Sequence, residues 1–159
     1  MATATLEASS PTVHSKVRKR AMDLLMRREH TVAELQRKLN IKNDDVGADI
    51  VAEVVERLAG EGLVSEARFT EAFVRYRRNN GRGPRRIQSE LRERGVYEKI
   101  QAAYLDIGDS QWLECAAQVR CKRFGNALPE DFKERARQAR FLQYRGFTAE
   151  QIRGVLDDV

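Results

Sequence analysis

The sequence predicts an all-α protein built from tandem three-helix repeats. Two observations carry this prediction: apolar residues recur at helical spacing in nine segments, and one pattern of helix, turn, cap and helix occurs three times. In addition, no segment alternates polar and apolar residues between hairpin turns, as surface strands do. A chain of 159 residues is long enough for a few such repeats.

The first apolar stripe shows the spacing clearly. Val17, Ala21 and Leu24 stand at offsets of 0, 4 and 7, which places them on one face of a helix. The other eight stripes begin at Val32, Ile50, Phe69, Ile87, Ile100, Trp112, Phe132 and Ile152. Helices this short are unstable alone in water, so they must gain stability by packing on their neighbours. Units that share interfaces in this way form an extended body rather than a sphere.

Capping residues divide the stripes into separate helices. Thr31 with Glu34, and Thr148 with Gln151, have the spacing of a capping box. Further N-caps are expected at Ser65 and Asp109, first helical residues at Pro84 and Pro129, a helix stop at Gly60 or Gly62, and a left-handed C-cap at Gly146. The single tryptophan, Trp112, is expected in the core of the last repeat.

The repeated pattern joins each cap to two apolar residues, four and eight positions later. It occurs after Thr31, after Thr148, and after Gly83 in the cap position. Any two amphipathic helices joined by a capped turn would share part of it. We expect a disordered leader at 1–14 and repeats at 15–62, 63–107 and 108–159.

Charge is arranged in blocks that alternate in sign along the chain. The net charge is only +5, but nine basic and three acidic residues give 67–94 a net charge of +6. The following block, 95–114, is acidic, as is the preceding block, 41–66. Alternating signs suit a ligand that is part protein and part polyanion.

The densest basic stretch contains eight arginines and no lysine between Arg75 and Arg94. Arginine binds phosphate or carboxylate bidentately and keeps its charge when partly desolvated. The turn from Gly81 to Pro84 precedes a helix N-terminus and could present free backbone amides to an anion. The alternative is a solvated helix face with local pairs such as Arg86–Glu90.

The sequence therefore gives a set of candidate binding residues. The primary candidates are Arg75, Arg77, Arg78, Arg82, Arg85 and Arg86, and the secondary candidates are Lys19, Arg20, Lys122 and Arg123. Binding of phosphate by such residues weakens steeply with salt.

Motifs for catalysis are missing from the sequence. There is no phosphate-binding loop of the Gly-x-x-x-x-Gly-Lys-Ser/Thr type and no dinucleotide fingerprint. Two histidines and two cysteines, with Cys115 and Cys121 six positions apart, do not suit a zinc site or a disulfide scaffold. No apolar run approaches the length of a membrane span. We expect no enzyme activity, cofactor, metal, small-molecule substrate or membrane partner.

Four blocks of the sequence resemble the RecX family of bacterial recombinase regulators. They are Ala21–Leu39, Glu61–Phe69, the stretch from Gly81-Arg82-Gly83-Pro84 to Arg94-Gly95-Val96, and Arg140–Phe147. The blocks stand in the family's order, and the likeness covers about residues 16–158. One departure is Val64-Ser65-Glu66, where many relatives have Leu-Asp-Asp; serine preserves the helix-start role.

The resemblance implies an elongated, curved helical array in the cytoplasm, and a non-catalytic protein. It implies that the partner is the RecA recombinase filament, and that the protein mainly inhibits its ATPase, strand-exchange and coprotease activities in DNA repair and the SOS response. It also implies non-specific binding of single- or double-stranded DNA. It assigns no contact residues.

Two other functions stay open from the sequence. A helix-turn-helix transcription regulator would use the Leu25–Leu39 or Leu142–Leu156 junction to read DNA, but it would need base-reading polar residues on its second helix. A scaffold that binds only proteins would use the basic blocks for solubility alone.

Overall fold

A computed structural model describes residues 11–157, and in that range the chain forms helices and no strands. The helices are α1 (Pro11–Leu25), α2 (Val32–Lys42), α3 (Ala48–Gly60), α4 (Glu66–Asn79), α5 (Pro84–Glu93), α6 (Glu98–Tyr104), α7 (Gln111–Phe124), α8 (Phe132–Arg145) and α9 (Ala149–Leu156). They correspond one to one with the nine apolar stripes, so the predicted all-α class is confirmed.

The helices are distributed over two compact units. Unit 1 contains residues up to Phe69 together with Arg94–Val96, and unit 2 contains Thr70–Glu93 and the residues from Tyr97 onward. In unit 1, α1, α2 and α3 all pack against one another, and in unit 2, α7, α8 and α9 do the same. Three-helix packing therefore recurs at both ends of the chain.

The core of unit 1 is made by the apolar stripes of its three helices. It consists of Val17, Ala21, Leu24, Leu35, Leu39, Val51, Val54, Val55, Leu58 and Val64. Most of these side chains are fully buried, and burial of each such aliphatic side chain stabilises the fold by roughly 1.5–3 kcal/mol. Helices that are individually unstable are held together by this shared surface.

The two threonine caps have the same geometry. The backbone angles are φ −75° and ψ 159° at Thr31, and φ −75° and ψ 160° at Thr148. Each hydroxyl accepts a hydrogen bond from the amide three residues later. At Thr148 the backbone amide also donates to the side-chain oxygen of Gln151, which completes the capping box. Glu34 instead pairs with Arg28, so the expected box at Thr31 is only half formed.

Glycine ends two of the helices as expected. After α3, Gly62 has φ +76°, and the amide of Leu63 donates to Leu58 O at 2.9 Å. After α8, Gly146 has φ +101°, and the amide of Phe147 donates to Leu142 O at 3.2 Å. Both are the left-handed C-cap in which the chain turns back over the last helical carbonyls.

Several predicted boundaries need correction. Helix α1 begins at Pro11, so residues 11–14 are helical rather than a disordered leader, and His14 bonds to Glu53 at 3.2 Å. Residues 1–10 of that predicted leader lie outside the described residues. Helix α8 begins at Phe132 with Asp131 as its N-cap, so Pro129 is not its first residue. Asp109 stands one position before the N-cap residue of α7 and accepts from the Gln111 amide.

Candidate functional site

The six primary arginines are split between helix faces with different surroundings. Arg77 donates through Nε to Glu90 Oε2 at 2.6 Å, and Arg86 donates through Nε to Glu90 Oε1 at 3.2 Å. Burial alone would raise the pKa of Glu90, but the hydrogen bonds and charges of Arg77 and Arg86 lower it below its usual value. Glu90 thus pairs with both Arg77 and Arg86 and offsets one of their two positive charges, as the alternative of local pairing anticipated.

The turn before α5 does not present free amides to an anion. The Gly83 amide donates to Arg145 O at 2.8 Å, and the Arg85 amide donates to Gly146 O at 3.0 Å. The Arg82 amide donates to Arg77 O at 3.0 Å, and Pro84 has no amide hydrogen. The expectation of a backbone anion site here is wrong, because these amides donate to carbonyls at the C-terminal ends of α4 and α8.

The contact of this turn with the end of α8 brings Arg145 close to Arg82. Because Gly83 lies against Arg145 and Gly146, the Arg82 guanidinium is close to those of Arg86, Arg145 and Arg77. Burial, followed by the charges of these three arginines, lowers the pKa of Arg82. Its buried Nε has no hydrogen-bond partner among the described residues. The carboxylate of Glu90 opposes this positive charge.

A groove of about 690 Å³ opens in unit 2 beside this turn. It lies between the end of α4, the turn at Asn80, α7 and α8. Its lining residues are Arg78, Asn79, Asn80, Gly81, Cys115, Gln118, Val119, Lys122, Arg123, Phe141 and Arg145. Four of them carry positive charge and none is a carboxylate. We call this feature the basic groove.

Aromatic contacts hold two of the groove arginines in place. The Arg145 guanidinium lies 5.2 Å from the centroid of Phe141, which in turn meets Phe124 edge to face at 5.2 Å. Arg78 lies 5.8 Å from the centroid of the buried Trp112 ring. Cation–π contacts of this kind orient a guanidinium without neutralising its charge. Lys122 and Arg123, at the end of α7, are exposed and make no ion pair within residues 11–157.

Two side chains near the groove, Trp112 and Arg120, are buried and have structural roles. Trp112 is 3% exposed and donates its indole N–H to Asp106 O at 2.8 Å, as expected of a core residue. Arg120 is also 3% exposed and donates to Ala127 O and Asn126 O, both at 3.0 Å. It therefore braces the loop between α7 and α8 and is unavailable to a ligand.

Three of the ten candidate residues meet at the basic groove: Arg78, Lys122 and Arg123. Arg75 and Arg85 are exposed elsewhere on α4 and α5. Lys19 and Arg20 lie on α1 in unit 1, where Arg20 donates to Lys42 O at 2.9 Å.

Sequence reasoning missed Arg145. Its neighbour Gly146 was recognised as a helix cap, but only the contact with Gly83 shows that Arg145 reaches the groove.

The described part of the chain holds no cluster of three potential metal ligands among His, Cys, Asp and Glu. None of its helices combines the length and hydropathy that a membrane span requires. Burial raises the pKa of the Cys115 thiol in the groove, which keeps it protonated and unreactive.

Comparison with known families assigns three consecutive parts of the chain. The first, second and third three-helix domains of RecX match residues 18–58, 65–105 and 109–156, respectively. The chain belongs to the RecX family. The resemblance inferred from the four sequence blocks is thereby confirmed.

Similar proteins agree with this assignment. The chain is 50% identical over 137 residues to the regulatory protein RecX of Halorhodospira halophila, covering 86% of this chain and 84% of that protein. It is 43% identical over 136 residues to the regulatory protein RecX of Pseudomonas entomophila, covering 86% of each. The homologues are thus named as regulatory proteins.

Solved structures share the fold. The crystal structure of RecX from Lactobacillus salivarius superposes with a TM-score of 0.74 at 20% identity, covering 89% of this chain and 93% of that one. A second crystal structure of a regulatory protein RecX gives a TM-score of 0.75 at 23% identity, covering 90% and 72%. These matches confirm the helical fold built from tandem three-helix domains.

Proposed function

We propose that this chain is a non-catalytic regulator, mainly an inhibitor, of the RecA recombinase. It binds the groove of the RecA–DNA filament and restrains ATPase, strand-exchange and coprotease activity in DNA repair and the SOS response. We place it in the cytoplasm, with DNA bound without sequence preference. Membership of the RecX family supports regulation, and the basic groove is the observation that supports contact with nucleic acid.

The basic groove suits phosphate because its positive charge is unpaired. Lys122 and Arg123 are exposed, and the guanidiniums of Arg78 and Arg145 are oriented by rings rather than by carboxylates. Phosphate contacts of this type give affinity without sequence preference. The DNA phosphates within a RecA–DNA filament carry the matching negative charge.

The opposite charge occurs in unit 1. Asp44, Asp45 and Asp49 are exposed around the start of α3, and none of them forms an ion pair within the described chain. Acidic side chains repel DNA and attract basic protein surfaces. A ligand made of both protein and DNA would use the two surfaces together, whereas naked DNA would use only one.

The test compares two double variants in a RecA ATPase assay on single-stranded DNA. Lys122→Gln/Arg123→Gln removes two groove charges. Lys99→Gln/Arg153→Gln is the matched control, because it removes one lysine and one arginine from exposed positions on α6 and α9 of the same unit. If each groove contact is worth about 0.5–1 kcal/mol, the groove variant needs roughly 5–30 times more protein for half-inhibition. The control keeps wild-type potency.

Salt dependence gives a second readout of the same contacts. For single-stranded DNA, each phosphate neutralised adds about 0.7 to the slope of log K against log salt. Loss of two contacts should therefore reduce the slope by about 1.4. Equal slopes and equal half-inhibition for the two variants would contradict the role of the groove, and no effect of the wild-type chain on RecA would contradict the proposed function.

A further inference from the structure

The positively charged side chains of the basic groove surround one cavity and are not spread along an extended track. Its four cations come from three elements: Arg78 from α4, Lys122 and Arg123 from α7, and Arg145 from α8. On the neighbouring faces, Arg77 and Arg86 share Glu90, which offsets one of their two positive charges. The four cations of the groove form no ion pair within the described residues, and together they match a compact polyanion.

The volume and the uncharged lining of the groove fit a small ligand. About 690 Å³ lies within the range of small-molecule sites in proteins. The amides of Asn79, Asn80 and Gln118 can donate and accept hydrogen bonds, and Val119 and Phe141 add apolar surface. Convergent cations, amides and an apolar wall together are what a phosphorylated nucleoside requires.

We propose that the basic groove binds a free nucleoside triphosphate as a ligand, in competition with DNA. The phosphates lie against the four cations, and the amides and apolar wall hold the nucleoside. A triphosphate carries three to four negative charges, which the four cations balance. Competition follows because the DNA backbone and the nucleotide need the same side chains. The inference goes beyond the regulation of RecA, and its competition with DNA rests on the proposed contact between the groove and nucleic acid.

The chain offers its own reporter for this binding. Trp112 is its single tryptophan, and Arg78 lies over its ring at 5.8 Å. An anion that draws Arg78 toward the groove changes the surroundings of the indole, so tryptophan emission should change on titration. Calorimetry gives the stoichiometry independently of this reporter.

The experiment titrates the full chain with ATP, ADP and AMP at constant ionic strength, with no DNA and no RecA. We expect one site per chain and about tenfold weaker binding when the β and γ phosphates are removed. Lys122→Gln/Arg123→Gln should weaken ATP binding at least fivefold, while Lys99→Gln/Arg153→Gln should not change it. ATP should also displace a labelled oligo(dT) that sodium chloride of equal ionic strength leaves bound.

Several outcomes would overturn the proposal. One is ATP affinity that is the same in both double variants. Another is inorganic triphosphate binding as tightly as ATP, because the nucleoside would then contribute nothing. A third is oligo(dT) bound in the groove and unaffected by millimolar ATP. Since RecA is not in the mixture, each of these results leaves the proposed regulation of RecA to be judged by the ATPase assay.

Discussion

Gly83 packs directly against the backbone of Gly146 in unit 2, and a single added methyl group should disrupt this contact. In Gly83→Ala the new Cβ would lie 2.5 Å from Gly146 O and still closer to Gly146 C and Phe147 N. All three are backbone atoms, so no side chain can rotate away. The turn has to move off the end of α8.

The magnitude follows from what that movement disrupts. Overpacking against a fixed neighbour costs about 1–3 kcal/mol. The hydrogen bonds from the Gly83 and Arg85 amides to Arg145 O and Gly146 O would lengthen or break, at about 0.5–1.5 kcal/mol each. Together the loss is about 2–6 kcal/mol of the free energy of unfolding. Displacing the turn also moves Arg145, so binding at the basic groove should weaken.

Urea unfolding followed by Trp112 fluorescence measures the effect, because that tryptophan is buried in unit 2. Gly60→Ala, followed by circular dichroism, is the control: it lies at the end of α3, where a Cβ meets nothing within 4 Å. That substitution should stabilise the protein by about 0.4–1 kcal/mol. An unchanged unfolding midpoint for Gly83→Ala would refute the proposed backbone contact.

Three further substitutions test other parts of the fold. His30 is 1% exposed, and its burial, together with the charges of Arg28 and Lys38, lowers its pKa. The free energy of unfolding should therefore fall as the pH drops below about 6.5, because only the unfolded chain takes up the proton there. His30→Gln should reduce this fall, measured by urea unfolding at pH 7.5 and pH 5.5. Arg120→Met should cost about 2–4 kcal/mol in urea unfolding, because it leaves buried carbonyls unpaired, whereas the same change at exposed Arg140 should cost under about 0.5 kcal/mol. Thr148→Ala removes the N-cap of α9 and should lower the thermal midpoint in calorimetry, at a cost of about 1 kcal/mol.

Local pattern was sufficient to predict the helices. Apolar spacing depends only on the 3.6-residue period, and caps such as Thr148 and Gly146 act within a few residues of themselves. Pro129 shows the limit of such reasoning: proline is compatible with a first helical position, but Asp131 supplies the cap hydrogen bond and starts α8 three residues later.

The candidate site was harder to predict, because charge in a sequence does not show which charges meet. Arg77 stands thirteen residues before Glu90, yet the two pair across unit 2. Arg120 belongs to the same basic cluster as Lys122 and Arg123 but is buried among carbonyls. Adjacent arginines on one helix can thus have opposite roles, depending on the face that packing covers.

By itself the sequence determined the helical class, the recurring cap pattern and the family, because each depends on residues close together in the chain. Only tertiary packing decided which arginines remain available, because neutralisation and burial depend on neighbours contributed by distant helices. The contact between Gly83 and the end of α8, which places Arg145 at the groove, also depends on tertiary packing.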